Sequence, residues 1–163
     1  MVGVSEHIAY IGLGANLGDR AGTLMEALRR LDRIPRITVR RISQMITTEP
    51  VGGPPDQPKF LNGAAELATT LSPKALLEAL HAVEDHLGRD RGREEPWGPR
   101  TCDLDLLLYD DMAANDGVLK LPHPYMHERT FVMRPLAEIA PRVVHPTLGR
   151  TMIELLADLE TGG

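Results

Sequence analysis

The chain is poor in several residue types, and each shortage narrows what it can be. Its 163 residues include one cysteine, Cys102, which excludes an intramolecular disulfide and a cysteine-based zinc site. Aromatic residues make up 4% of the chain, which argues against an RNA-binding module that stacks bases on its sheet. A net charge of −5 argues against general binding to polyanions, because that requires a basic surface. No apolar run reaches the roughly 18–20 residues of a membrane span, and no signal segment precedes the domain, so we expect a cytoplasmic protein.

The hydrophobic pattern alternates between strand and helix periods along a length that fits one domain, residues 1–163. The predicted elements are a strand at 7–13, a helix from 19, strands at 37–48 and 60–70, a helix at 73–87, a strand at 101–109 and a closing helix at 152–159. This order predicts an α+β, ferredoxin-like βαββαβ core with a C-terminal extension. The glycines of residues 12–18 match no phosphate-loop motif, so we interpret them as the turn between the first strand and the first helix.

The strongest chemical signal is an acidic pair, Asp103 and Asp105, in the last predicted strand. Side chains alternate along a strand, so both carboxylates share one face, which Leu107 and Tyr109 extend. At a Cα separation of about 6.5–7 Å, two such charges repel by about 2 kcal/mol. A divalent cation relieves that repulsion, and Mg²⁺ takes oxygen ligands of this kind. The alternative is an acidic, solvated strand edge that binds no metal.

Arginines lie just upstream of this strand, on either side of Trp97: Arg89, Arg91, Arg93 and Arg100. Guanidinium groups bind phosphate oxygens through paired hydrogen bonds. Next to an acidic pair, they indicate a polyphosphate site with metals on one side and arginines on the other. The alternative is an ordinary solvated loop, because Asp90, Glu94 and Glu95 partly neutralise it.

Residues 97–107, Trp-Gly-Pro-Arg-Thr-Cys-Asp-Leu-Asp-Leu-Leu, closely resemble the signature of the 6-hydroxymethyl-7,8-dihydropterin pyrophosphokinase family. Five further segments extend the resemblance along nearly the whole chain: residues 12–18, 56–62, 122–124, 129–131 and 135–141. The resemblance implies a monomer that uses ATP and two Mg²⁺ ions and binds neither nucleic acid nor membrane. The implied reaction is diphosphate transfer from ATP to the pterin in folate biosynthesis, with AMP as the second product. The alternative is a non-catalytic nucleotide-binding domain of the same fold.

The resemblance also implies a role for individual residues. Asp103 and Asp105 would bind the metals and, with Arg89 and Arg100, form the catalytic set. The ATP-binding set would be Glu84 (facing the ribose), Arg89, Arg91, Trp97, Arg100, Leu106, His123 and Arg129. The pterin would lie between Phe60 and Phe131, and its polar edge would be read by Thr48, Val51 and Asn62.

Overall fold

The computed structural model contains both strands and helices and describes residues 5–16, 18–49, 58–88 and 102–162. The strands are β1 (His7–Ala15), β2 (Ile37–Ile42), β3 (Ile46–Thr48), β4 (Phe60–Thr69), β5 (Asp103–Tyr109), β6 (Ala114–Asn115) and β7 (Lys120–Leu121). The helices are α1 (Arg20–Arg33), α2 (Pro73–His86), α3 (Thr130–Ile139) and α4 (Met152–Thr161), with a single 3₁₀ turn at Met126–Glu128 before α3. Within the described ranges, no helix is long and apolar enough to cross a membrane.

The main sheet has the strand order β2-β4-β1-β5, and every neighbouring pair is antiparallel. The short strand β3 pairs with β4, and β6 and β7 form a separate two-stranded ribbon. Helix α1 connects β1 to β2, and α2 connects β4 to β5. Two such split βαβ units interleaved in one sheet are the ferredoxin-like arrangement, so the predicted fold class is confirmed.

Apolar stripes on the helices cover both faces of the sheet. On one face, Leu24 and Leu31 of α1 and Leu80 of α2 are fully buried with Ile11 of β1. On the other face, Tyr10 of β1 is buried in a second core with Met133 and Leu136 of α3 and Met152 and Leu155 of α4. The C-terminal extension therefore closes the sheet face that the βαββαβ unit leaves open.

Polar side chains mark the beginnings of three helices. The Asp19 side chain accepts a hydrogen bond from Gly22 N at the start of α1, and Ser72 accepts one from Ala75 N at the start of α2. Thr151 forms a capping box with Glu154 at α4. These bonds satisfy backbone N–H groups that have no partner inside the helix, which fixes where each helix begins.

The first strand is longer than its sequence predicts. Gly12 and Gly14 lie inside β1, which continues to Ala15, so the turn prediction for these two glycines is wrong. The turn begins later, where Gly18 has a φ of +61°. Positive φ is easily adopted by glycine, whereas Gly12 and Gly14 serve another purpose described below.

The strand predicted at 37–48 is two strands separated by Ser43–Met45. Ser43 N donates to Ala64 O at 2.9 Å, and Ala64 N donates to the Ser43 hydroxyl at 2.8 Å. The Met45 side chain covers Gly63 so closely that a Cβ there would lie 2.2 Å from the sulfur. The Ser43 hydroxyl thus takes the place of a backbone acceptor for Ala64 N. Regular pairing with β4 is interrupted there and resumes in β3.

Strand β5 contains a bulge that changes which face its side chains occupy. Tyr10 pairs with Leu108 and Ile11 with Leu106, so Leu107 is the extra residue. Leu107 and Leu108 both pack in the core with α3, whereas Tyr109 packs in the opposite core. The prediction that Tyr109 shares the face of the aspartates is therefore wrong, while that for Leu107 is confirmed.

Replacing Ser43 with alanine tests the interrupted strand. We expect Ser43→Ala to lower the free energy of unfolding by about 1–3 kcal/mol, because the buried Ala64 N–H loses its acceptor. Chemical denaturation measures the change. Thr47→Ala on exposed β3 is the matched control and should change stability far less. Equal effects of the two substitutions would contradict the role given to the Ser43 hydroxyl.

Candidate active site

A cleft of about 900 Å³ opens beside the sheet, between β5, the N-terminal end of α3 and the residues before it. It runs across the sheet face to the outer edge of β5, where Leu77 and His81 of α2 also line it. It brings together residues separated by more than 80 positions in the sequence. Nine predicted site residues line it: Thr48, Phe60, Asn62, Asp103, Asp105, Leu106, His123, Arg129 and Phe131.

Two glycines form the floor of the cleft. Gly12 pairs with Asp105, and Gly14 pairs with both Asp103 and Asn62 across the sheet. A Cβ on Gly14 would approach the Asn62 Oδ1 to 3.0 Å, and one on Gly12 would contact the Asp105 Cβ at 3.9 Å. The bare backbone of β1 therefore leaves space between the amide on one side and the acidic pair on the other.

The acidic pair is half-buried on the cleft side of β5. Asp103 and Asp105 flank Leu104, whose side chain is buried in the core against α1 and α2. The alternation predicted from the sequence is thus present at this end of the strand. Among the described residues, no group of three Asp, Glu, His or Cys side chains could hold a metal by itself. Two carboxylates facing a cleft suit Mg²⁺, which commonly takes one or two carboxylates and completes its shell with water and phosphate oxygens.

His123 stands between the acidic pair and the cationic side of the cleft. Burial lowers its pKa most, the charges of Arg129 and Lys120 lower it further, and the nearby Asp103 opposes them. The imidazole is therefore neutral at pH 7. Its Nδ1 accepts a hydrogen bond from Tyr125 N at 3.3 Å, so the neutral ring carries its proton on Nε2. This tautomer makes His123 a hydrogen-bond donor through Nε2.

Arg129 lies between two aromatic rings. Its Cζ is 5.6 Å from the ring centroid of Tyr125 and 5.9 Å from that of Phe131. Each such contact contributes about 0.5–2 kcal/mol, depending on how far the charge is removed from water. The guanidinium is thus held at the start of α3 next to Phe131, one of the two predicted stacking rings.

The opposite wall of the cleft holds the remaining predicted pterin residues. Phe60 begins β4, and Asn62 follows it two residues later on the same face of the strand. The side-chain NH₂ group of the buried Asn62 donates to the Thr48 hydroxyl. This bond fixes the orientation of the Asn62 Oδ1, which lies beside Gly14. The two walls together line the cleft with two phenylalanine side chains and with polar groups.

Glu84 is not brought into the cleft. It is 1% exposed, and its carboxylate accepts a hydrogen bond from Leu104 N at 2.7 Å. The Glu84 side chain thus lies at the outer edge of β5, and its predicted ribose contact stays a prediction. Other predicted residues lie outside the described ranges: Val51, Arg89, Arg91, Trp97 and Arg100.

Among the lining residues that sequence reasoning did not assign to the site are Gly12, Gly14, Lys120 and Tyr125. The two glycines had a detectable signal, because glycines two apart in a strand leave one face bare. Tyr125 had none, since a single exposed tyrosine among prolines has no periodicity. Its ring is 55% exposed and contacts the cleft through Arg129 and His123.

Comparisons with known proteins identify the family of the chain. The family model of 7,8-dihydro-6-hydroxymethylpterin-pyrophosphokinase (HPPK) matches residues 10–141. Three relatives are named 2-amino-4-hydroxy-6-hydroxymethyldihydropteridine pyrophosphokinase. The Bacillus subtilis protein is 47% identical over 84% of this chain and 80% of its own length. The Pseudomonas aeruginosa protein is 43% identical over 91% and 89%, and that of Methylorubrum extorquens 44% over 95% of both.

Solved structures show the same fold at much lower identity. A Plasmodium falciparum HPPK-DHPS crystal structure matches 97% of this chain with a TM-score of 0.72 and 14% identity. This chain covers 46% of that longer chain. At this identity the likeness shows the fold alone and carries no residue roles. From the family model and the relatives, the chain belongs to the 7,8-dihydro-6-hydroxymethylpterin-pyrophosphokinase family.

Proposed function

We propose that this protein transfers the diphosphate group of ATP to 6-hydroxymethyl-7,8-dihydropterin, a step in folate biosynthesis that releases AMP. Membership of a pyrophosphokinase family supports catalysis, and it does not support the alternative of a non-catalytic nucleotide-binding domain. One observation carries the proposal furthest. The acidic pair and the two phenylalanines, far apart in sequence, line one cleft with bare β1 backbone between them.

The cleft divides into two parts with different chemistry. Phe60, Asn62 and Phe131 form the pterin part, where stacking and amide hydrogen bonds suit a flat heterocycle with polar edges. Asp103 and Asp105 lie across Gly12 and Gly14, where a polyphosphate would meet them. With the two substrates in these two parts, the pterin hydroxymethyl group would lie next to the phosphates, across the floor of the cleft.

The reaction needs positioning and charge neutralisation more than covalent help from the protein. The hydroxymethyl oxygen attacks the β-phosphorus in line, the bond from that phosphorus to the α,β-bridging oxygen breaks, and AMP leaves with the electron pair. The hydroxyl proton is released to solvent, and we assign no residue as its acceptor. His123 Nε2–H and the Arg129 guanidinium are donors available to phosphate oxygens on the nucleotide side.

Mg²⁺ is the metal that the donor set suits, and Asp103 and Asp105 would hold it. When bound with ATP, it neutralises phosphate charge and fixes the triphosphate geometry. The finer proposal is that these two carboxylates would hold two such ions. We further propose that Arg89 and Arg100 neutralise the transferring group and that Arg91, Trp97 and Leu106 contact the nucleotide. On the pterin side, Val51 reads the polar edge together with Thr48.

We also expect the protein to act as a monomer in the cytoplasm and to bind no nucleic acid. The negative net charge supports the last expectation, because nonspecific nucleic-acid affinity depends on phosphate neutralisation.

The product of ATP cleavage tests the proposed reaction. With ATP, Mg²⁺ and the reduced pterin, chromatography should detect AMP and pterin diphosphate in equal amounts, because the β-phosphorus is attacked. Omitting the pterin or adding a chelator should stop AMP formation. Formation of ADP instead would show transfer of a single phosphoryl group and would refute the proposal.

Removing either carboxylate charge tests the metal site. Asp103→Asn and Asp105→Asn should each lower kcat at least about 100-fold while the protein stays folded, since charge neutralisation supplies several kcal/mol in such transfers. Steady-state kinetics and circular dichroism measure the two properties. Asp111→Asn, at an exposed position just beyond β5, is the matched control and should retain normal turnover. Near-normal kcat in both site variants would refute the metal assignment.

Shortening Phe60 tests the pterin part of the cleft. Phe60→Ala should weaken pterin binding by about 1–3 kcal/mol, because one stacking face is lost. Calorimetry with the pterin and, separately, with a non-hydrolysable ATP analogue should show the loss for the pterin alone. Val144→Ala shortens an exposed apolar side chain outside the cleft and serves as the control. A loss confined to the nucleotide would contradict the division of the cleft.

A further inference from the structure

Glu84 occupies a position that is unfavourable for a carboxylate. It lies in the last turn of α2, where the helix dipole disfavours negative charge, and it is 1% exposed. Burying a charge is costly unless it is paired or hydrogen-bonded. The hydrogen bond from Leu104 N, at 2.7 Å, is one such interaction, and it joins α2 to the strand that carries the acidic pair.

Leu104 lies at the outer edge of the sheet. Strand β5 pairs with β1 on one side and is the last strand in the sheet order. Alternate residues of an antiparallel strand direct their N–H groups away from the partner strand, and Leu104 N–H is directed to Glu84. An edge N–H buried without an acceptor would be costly, so this bond completes the edge of β5 at that residue.

The bonded residue separates the two aspartates. Its side chain is anchored in the core with α1 and α2, while its N–H is anchored by Glu84. With both attachments in place, the backbone on either side of Leu104 has a fixed orientation. Asp103 and Asp105 are therefore directed toward the same side of the strand by contacts made on its other side and edge.

We propose that Glu84 is a positioning residue for the acidic pair, acting through the Leu104 N–H rather than by contact with the nucleotide. The property that matters is the reach of its side chain to that N–H. The inference deepens the proposed function and rests on it, because it assigns the pair as the metal-binding site. It assigns to Glu84 a role different from the ribose contact that the family resemblance implies.

Two substitutions separate reach from charge. Glu84→Gln keeps the side-chain length and an acceptor oxygen but loses the charge, whereas Glu84→Asp keeps the charge but falls short by one methylene. Amide exchange and Mn²⁺ binding are measured for each variant. Hydrogen exchange by NMR reports protection of the Leu104 amide in the free protein. Electron paramagnetic resonance reports Mn²⁺ binding in the presence of a non-hydrolysable ATP analogue. Glu78→Gln, on an exposed part of α2, is the matched control.

We expect Glu84→Asp to lose Leu104 amide protection and to bind Mn²⁺ about 10–100-fold more weakly, the usual effect of disturbing a group that orients a metal ligand. Glu84→Gln and the control should resemble the native protein in both measurements. Metal-free binding of the analogue should be unchanged in every variant. Normal behaviour of Glu84→Asp, an equal loss in Glu84→Gln, or weakened metal-free binding would each overturn the proposal. Absence of Mn²⁺ binding by the native protein would instead refute the proposed metal site, while amide exchange would still decide the role of Glu84.

Discussion

The site depends on holding two carboxylates on one face of an edge strand. Asp103 and Asp105 repel each other by about 2 kcal/mol at this spacing, and an edge strand has ladder bonds on one side only. The surrounding residues compensate for both the repulsion and the unpaired edge. Glu84 satisfies the outer edge between the two aspartates, the glycines of β1 leave room in front of them, and Asp103 acts on His123 across the cleft. A strand position that is poor for stability thus has a fixed orientation, which suits the cation that we propose it binds.

Features that depend on local periodicity were predictable from the sequence. The alternation of Asp103, Leu104 and Asp105 needs only the two-residue repeat of a strand, and it is present. The start of α2 follows from Ser72, whose side chain caps the helix, and from Pro73, which suits the first helical position. The order of elements was enough for the ferredoxin-like sheet, because split βαβ units leave few ways to arrange four strands. The grouping of nine site residues came from the family resemblance, since no local rule relates Phe60 to Phe131.

Features that depend on tertiary contacts were not predictable in the same way. The bulge at Leu107 follows from how β5 fits β1, so the strand pattern alone assigned Tyr109 to the wrong face. The break at Ser43 requires knowing that its hydroxyl meets Ala64 N. Helix α3 contains Pro135, and a proline within ten residues conceals a helix that burial against β4 stabilises. Gly12 and Gly14 looked like a turn because the sequence does not show what lies opposite them.

The net charge of the whole chain does not describe the cleft, whose own charged side chains determine how it would meet a triphosphate. Its described lining carries four carboxylates, those of Glu49, Asp103, Asp105 and Glu128, against two permanent cations, Lys120 and Arg129. Burial lowers the pKa of His123 most and the two neighbouring cations lower it further, so its ring adds no charge at pH 7. Within this lining the carboxylates outnumber the cations, although Lys59 outside it forms an ion pair with Glu49. Divalent cations at the acidic pair reverse that balance, and the arginines at 89–100 are the cations that the sequence places nearest to it. On this argument the metal would strengthen nucleotide binding as well as support transfer, because it would offset the negative charge of the acidic pair.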